Sequence, residues 1–406
     1  PDGETLSLAH LKHFTAEGVN TAGRETPLQL LLSVPGGADE PPLEIAAAGR
    51  LNTDLDAGRI ALPALSVTLT GLTTEPLEVS LSGDADLRRE TGDFRVSLAV
   101  ADTRGEGTVR FAQSESPMID ARLELNRFTP ALFALAGPEA AAEAPAGPGQ
   151  LPYDALRAMD TAARLDIDEV QLGPHRLTGV SASLRAVEGT VTLSDVSGEI
   201  HGGKIGLSAT LDAHYAPATL ESRGAVSELA LGSALEALDS PVAGSGTASL
   251  TWDVNSRGDD SEALIQALTG PVTLRTDAVT VREVAVQQAF CQVVALANGD
   301  QLSQPFPADT AFDALEADIA LGGGRARLER LAATVPGIAL AGRGDLALLT
   351  GDFTATIGGR LQPALTEFDP ACAVDERLLA LTFPVACAGN LDGEPKDWCA
   401  LDAEAV

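Results

Sequence analysis

The sequence predicts a mainly β chain, an extended antiparallel sheet with one apolar face and a few short helices. Three observations predict it. The first is a pattern that occurs three times: a glycine, apolar residues at +2, +4 and +7, and a second glycine at +13. The copies are Gly58-Ile60-Leu62-Leu65-Gly71, Gly189-Val191-Leu193-Val196-Gly202 and Gly324-Ala326-Leu328-Leu331-Gly337. The +2/+4 spacing is the period of a strand with one apolar face. The three-residue step that follows breaks the period by one position, as a bulge does, and a bulge bends the strand. The second glycine then suits a turn. Each unit reads as a bent strand, a tight turn and a returning strand, and its repetition points to an extended architecture.

The second observation is alternation. Residues 43–126 place Leu65-Val67-Leu69, Leu77-Val79-Leu81, Phe94-Val96-Leu98-Val100 and Ala121-Leu123-Leu125 at every second position, with Ser66, Thr68, Glu78, Ser80, Arg95 and Ser97 between them. That is a sheet with one wet and one apolar face. The third is composition: 45% of residues are hydrophobic but only 4% aromatic. Ala, Leu and Val spread over a long sheet more readily than they fill a compact core.

The elements follow in order. Residues 1–36 alternate through Leu6, Leu8 and Leu28–Val34. After the strands of 43–126, Thr129-Pro130 supplies an N-cap and a proline at the first helical position, so a short helix is expected at Thr129–Leu135. Residues 138–150 are Ala, Pro, Glu and Gly ending in Gln150, a linker or loop that separates an N-terminal segment, 1–137, from a C-terminal one, 151–406. Leu151–Arg157 starts a second helix, and strands resume at Arg164–Val170, Val180–Leu184, Val191–Leu193, Ile205–Leu211, Ser249–Val254 and Val272–Val281. Two helices interrupt them: Ser261–Leu268, and Val284–Ala297 with Val286, Phe290, Val293 and Ala297 on one face. Strands return at Phe312–Leu321, Arg325–Thr334, Gly344–Leu349, Phe353–Arg360 and Phe383–Leu391.

The net charge is −31, from 58 acidic and 27 basic residues. Such a field repels phosphate backbones, so nucleic acid is excluded as a partner. No window approaches 18 consecutive apolar residues. The chain opens at Pro1 without an initiator Met or a signal-peptide pattern, and so reads as a processed form or a fragment whose anchor lies upstream.

The four cysteines are Cys291, Cys372, Cys387 and Cys399. Their spacing lacks the close C-x-x-C pairs of zinc sites, which favours two disulfides and an oxidising compartment such as a periplasm. Three connectivities are open; the expected one closes the terminal hairpin with Cys387–Cys399 and joins Cys291 to Cys372.

A search for catalytic chemistry finds none to name. His10, His13, His175, His201 and His214 are scattered, with no H-E-x-x-H, nucleophile elbow or Walker loop. His201 reads as a turn residue, Gly322-Gly323-Gly324 as a turn, and Asp259-Asp260 as helix caps or solvating charges. The reading is a non-enzyme with no cofactor and no metal. The apolar face remains, and spacing alone leaves open whether a second sheet closes it or a ligand covers it.

The run from Gly189 to Asp212, GTVTLSDVSGEIHGGKIGLSATLD, resembles the central signature of the AsmA family. Leu151-Pro-Tyr-Asp-Ala-Leu-Arg157, Leu231-Gly-Ser-Ala-Leu235 and Thr269-Gly-Pro-Val-Thr-Leu274 fit the same order, as do Ala289–Asn298, Phe383–Leu391 and Asp397-Trp-Cys399. The resemblance covers 150–402 well and 43–130 loosely. It implies a sheet curled into a repeating β-groove, in a periplasmic protein anchored to the inner membrane and connected with outer-membrane biogenesis. The family's likeness to bridge-like lipid-transfer proteins implies phospholipid as the cargo, in a groove lined by Leu65, Val67, Leu69, Val79, Leu81, Val191, Leu193, Ile205 and Leu207. The alternative is a non-enzymatic scaffold for outer-membrane protein assembly, with another envelope protein as its partner.

Overall fold

A computed structural model describes residues 10–35, 42–71, 73, 75–112, 118–129, 153–158, 160–393 and 398–401. The chain divides into two compact units, Pro1–Gly198 with Thr210–Ala218, and Glu199–Ala209 with Thr219–Val406. The described residues form 22 strands and five short α-helices, the mainly β class that the alternation predicts.

The first unit holds β1 (His10–Ala16), β2 (Ala22–Val34), β3 (Leu43–Asp54), β4 (Arg59–Thr70) and β5 (Leu77–Asp86). It continues with β6 (Thr91–Val100), β7 (Thr103–Ala112), β8 (Met118–Phe128), α1 (Tyr153–Ala158), β9 (Asp160–Leu172) and β10 (His175–Val187). Each strand from β1 to β10 pairs with the next. All these pairs are antiparallel except β8–β9, which runs parallel through nine registered positions. This corrects the uniformly antiparallel expectation. Parallel neighbours need a crossover of about a dozen residues or more, and the stretch of sequence between Phe128 and Asp160 is long enough for one. The expected linker at 138–150 lies outside the described residues, as does the helix expected at Thr129–Leu135 beyond Thr129 itself.

β11 (Thr190–Ile200) and β12 (Gly203–Asp212) lie where the units divide. The second unit contains β13 (Ala218–Ala230), α2 (Leu231–Ala237), β14 (Gly244–Gly258), α3 (Ser261–Gln266), β15 (Gly270–Val281) and α4 (Val286–Asn298). Then follow β16 (Thr310–Phe312), β17 (Ala314–Gly322), β18 (Arg325–Val335), β19 (Ile338–Ala347) and β20 (Asp352–Leu361). α5 (Glu376–Leu379), β21 (Phe383–Asn390) and β22 (Cys399–Leu401) complete it. An antiparallel ladder runs β14-β15-β17-β18-β19-β20-β21-β22.

The repeated unit behaves as its spacing requires. In the first copy the register shifts between Leu62 and Leu65, and in the third between Leu328 and Leu331. These are the +4 to +7 steps where the phase breaks. In the second copy Asp195, at the same step, has φ +52°. The six boundary glycines have φ between +67° and +95°, a region that only glycine enters freely. Glu188-Gly189, His201-Gly202 and Gly323-Gly324 carry positive φ at both positions, the two-residue hairpin that matches strand twist. Pro336-Gly337 closes the third copy, with proline preset for the first turn position. The first copy departs from the expected tight turn: Gly71 opens a connection that ends only at Leu77. Pro76 stands just before Leu77 and has no N–H to give the ladder, so pairing cannot begin sooner.

The helices are set by local chemistry. Asp260 caps α3 by accepting from the Ala263 N–H at 2.7 Å. The buried face of α4 is Gln287, Phe290, Cys291, Val294 and Ala295; of the expected stripe Phe290 is in the buried cluster, Val286 and Val293 are half-buried against it, and Ala297 is exposed. On that face Cys291 is bonded to Cys372.

Candidate functional site: the apolar face

In the first unit the apolar positions line up across strands. Leu65 pairs with Leu81, Val67 with Val79, and Leu69 with Leu77. Val79 then faces Leu98, and Leu81 faces Val96. The next strands continue with Gly105 and Gly107 on β7, opposite Leu125 and Leu123 on β8. Five of the groove residues named from the sequence therefore share one face of the ladder: Leu65, Val67, Leu69, Val79 and Leu81. The other four sit elsewhere, Val191 and Leu193 on β11, Ile205 and Leu207 on β12. All nine are half-buried, neither sealed nor fully exposed.

That condition separates this face from a closed core. Among the described residues, the buried hydrophobic cluster lies wholly in the second unit: Phe290, Cys291, Val294, Val335, Ile338, Leu361, Leu365, Cys372 and Phe383. Ile338, Leu365 and Cys372 there are 0% exposed. In the first unit the buried apolar side chains, such as Val100, Ala121, Ile167 and Val170, join no such cluster. On the edge strand β1, Leu11 is 60% exposed and Phe14 58%.

Glycines shape the face. A Cβ on Gly107 would lie 2.0 Å from the Arg122 carbonyl oxygen, a backbone atom that cannot step aside. Gly107→Val should therefore cost about 1–3 kcal/mol by overpacking. Urea denaturation should give a lower midpoint at an unchanged slope.

The opposite face is polar. Ser66, Ser80, Ser97, Glu106, Glu124 and Asp166 follow one another across β4 to β9. A hollow of about 590 Å³ lies beside this row, lined also by Glu78, Arg104 and Asp168. Sequence reading misses the hollow, because its carboxylates meet only through ladder register: Glu106 is opposite Glu124, and Glu124 opposite Asp166. Among the described residues no group of three or more His, Cys, Asp or Glu is placed to hold a metal ion. No helix there is long and apolar enough to cross a membrane.

The second unit carries both cysteine pairs, Cys291–Cys372 and Cys387–Cys399, the expected connectivity. Cys387 and Cys399 are direct partners in the β21–β22 ladder. Asp369, 1% exposed, accepts from the backbone N–H groups of Ala371 at 2.8 Å, Ser303 at 2.6 Å and Gln304 at 2.7 Å. The Ala371 N–H foremost, against the pull of desolvation, holds its carboxyl below the usual range. A depressed folded pKa gives stability that is present above the unfolded value, about 3.9, and lost as pH falls through the folded value. Calorimetry between pH 7 and pH 3 should show the second unit weakening on the acid side, and Asp369→Asn should flatten that limb.

The family model of the AsmA family matches residues 139–331. Protein AsmA of Escherichia coli (strain K12) is 22% identical over 272 residues, 63% of this chain and 44% of that protein. The chain thus spans less than half the length of this curated relative. No solved structure matches. Over residues 139–331, which carry the second glycine-bounded bent strand, the chain is similar to the AsmA family.

Proposed function

We propose that the protein carries phospholipid acyl chains on its apolar face, as a non-enzymatic lipid-transfer component of the cell envelope. One observation carries this reading. In the first unit a one-faced sheet presents aligned Leu and Val side chains that stay half-buried, while the buried hydrophobic cluster belongs to the other unit. Acyl chains need a dry, non-directional surface, and about 25 cal/mol per Å² of apolar contact holds them without a specific pocket. Similarity to the AsmA family over residues 139–331 supports a role in envelope biogenesis or lipid handling. Two disulfides support an oxidising compartment, the periplasm, and association with the inner membrane is part of the same reading. Incubation of the protein with fluorescent phospholipid vesicles tests this: lipid should move between vesicle populations in proportion to protein concentration.

A second reading, a scaffold for outer-membrane protein assembly, rests on β1. Among the described residues this strand pairs only with β2, and an open edge accepts an added strand. That reading expects a folded envelope protein, rather than lipid, to co-purify stoichiometrically.

A further inference from the structure

Across β18 to β21 the apolar face of the second unit is covered at one end of the strands. Following the ladder, Leu331, Gly342, Ile357 and Val385 form one cross-strand row; Leu331 and Ile357 are half-buried and outside the buried cluster, while Val385 at the end of the row packs against it. The next row along the strands is Ala333, Leu340, Gly359 and Phe383. Here Ala333 and Phe383 are 3% exposed, and Leu340, half-buried, packs against the buried cluster. In the row after that, Val335, Ile338 and Leu361 are 1%, 0% and 4% exposed. The cover is α4, whose Phe290, Cys291 and Val294 join this cluster. The ring of Phe290 occupies the place above Gly359: a Cβ there would lie 2.3 Å from it.

α4 is fastened where it lies. Cys291, 0% exposed, is bonded to Cys372, also 0% exposed. Asn298 Nδ2 donates to the carbonyls of Ala371 and Ala373 at 3.2 and 2.9 Å. Asp369 ties the same turn to Ser303 and Gln304. Successive rows on one face of a sheet are about 7 Å apart. Covering two of them moves the margin of the open surface inward by about 14 Å.

We infer that α4 is a fixed wall of this apolar face and that Phe290 is the residue that stops a lipid acyl chain at the Leu331–Ile357 row. The inference rests on the lipid-carrying reading above. The occupant excluded is the same kind of apolar chain that the open rows would hold, because Phe290 and Val294 take up its contacts themselves.

The test labels the two rows separately in the full chain. Leu331→photo-leucine and Leu340→photo-leucine variants, isosteric with the parent, are irradiated with vesicles of phosphatidylethanolamine and phosphatidylglycerol. The expected result is lipid adduct at position 331 and at least tenfold less at 340. Phe290→Ala should raise the adduct at 340 at least fivefold and leave 331 unchanged. Where Phe290→Ala fails to fold, Phe290→Leu serves, with an expected rise of at least twofold. Equal labelling of both positions in the parent overturns the wall, and so does a folded Phe290 variant whose position 340 stays dark. Absence of adduct at 331 as well as 340 sinks the lipid-carrying reading itself, a separate outcome.

Discussion

Leu81→Glu should cut lipid retention by more than a hundredfold while leaving the protein folded. Leu81 lies mid-row between Leu65 and Val96 and is half-buried. In the lipid-free protein a glutamate at this position keeps contact with water, so the fold loses little beyond the transfer energy of one leucine, about 2 kcal/mol at most. Under an acyl chain the carboxylate must shed its water or take up a proton. Protonating a glutamate of ordinary pKa at pH 7 costs about 3.7 kcal/mol, from roughly 1.36 kcal/mol per pH unit. That corresponds to several hundredfold in affinity. Leu69→Glu should act in the same direction. Ile338→Glu is the contrast: that side chain is 0% exposed in the second unit's cluster, and a charge there should unfold the unit. Circular dichroism melts run beside lipid-retention assays separate the two results. A Leu81→Glu protein that unfolds would place this residue in a closed core.

The second large effect is on stability. Removing the Cys291–Cys372 link should destabilise the second unit by about 4.5 kcal/mol, and removing Cys387–Cys399 by about 3 kcal/mol. The difference follows from loop length in the chain-entropy account of disulfides, since the bridges span 81 and 12 residues. The longer bridge also joins α4 to the turn that Asp369 organises, so its loss loosens the packing of Phe290 and Val294 on the strands. Paired Cys→Ala variants compared by calorimetry should show the larger drop for Cys291/Cys372, on the order of 10 °C. Equal shifts for the two pairs would contradict this.

Much of the fold is written in local spacing. The phase break between Leu62 and Leu65 identifies a bulge because a strand's two-residue period admits no other three-residue step. The glycines at either end identify turns because their backbone must enter positive φ. Cys387–Cys399 is legible because twelve residues suffice for one hairpin. What escapes the sequence depends on contacts between distant residues. Nothing near Met118 or Asp160 says that β8 and β9 run side by side in the same direction. The stripe on α4 is legible at Phe290, but its extension to Cys291 is not, because Cys291 meets Cys372 from 81 residues away. Glu106, Glu124 and Asp166 look like ordinary solvated positions until the ladder sets them in one row. The state of the apolar face is of this kind too. Leu65, Val67 and Val79 would alternate identically in a closed sandwich, and only their half-burial distinguishes the two.

The proposed function stands on that half-burial, and native mass spectrometry of the purified protein tests it most directly. The expected spectrum contains phospholipid adducts on the parent chain that disappear in the folded Leu81→Glu variant. A parent chain that is lipid-free, and that moves no phospholipid between vesicles, would contradict the account.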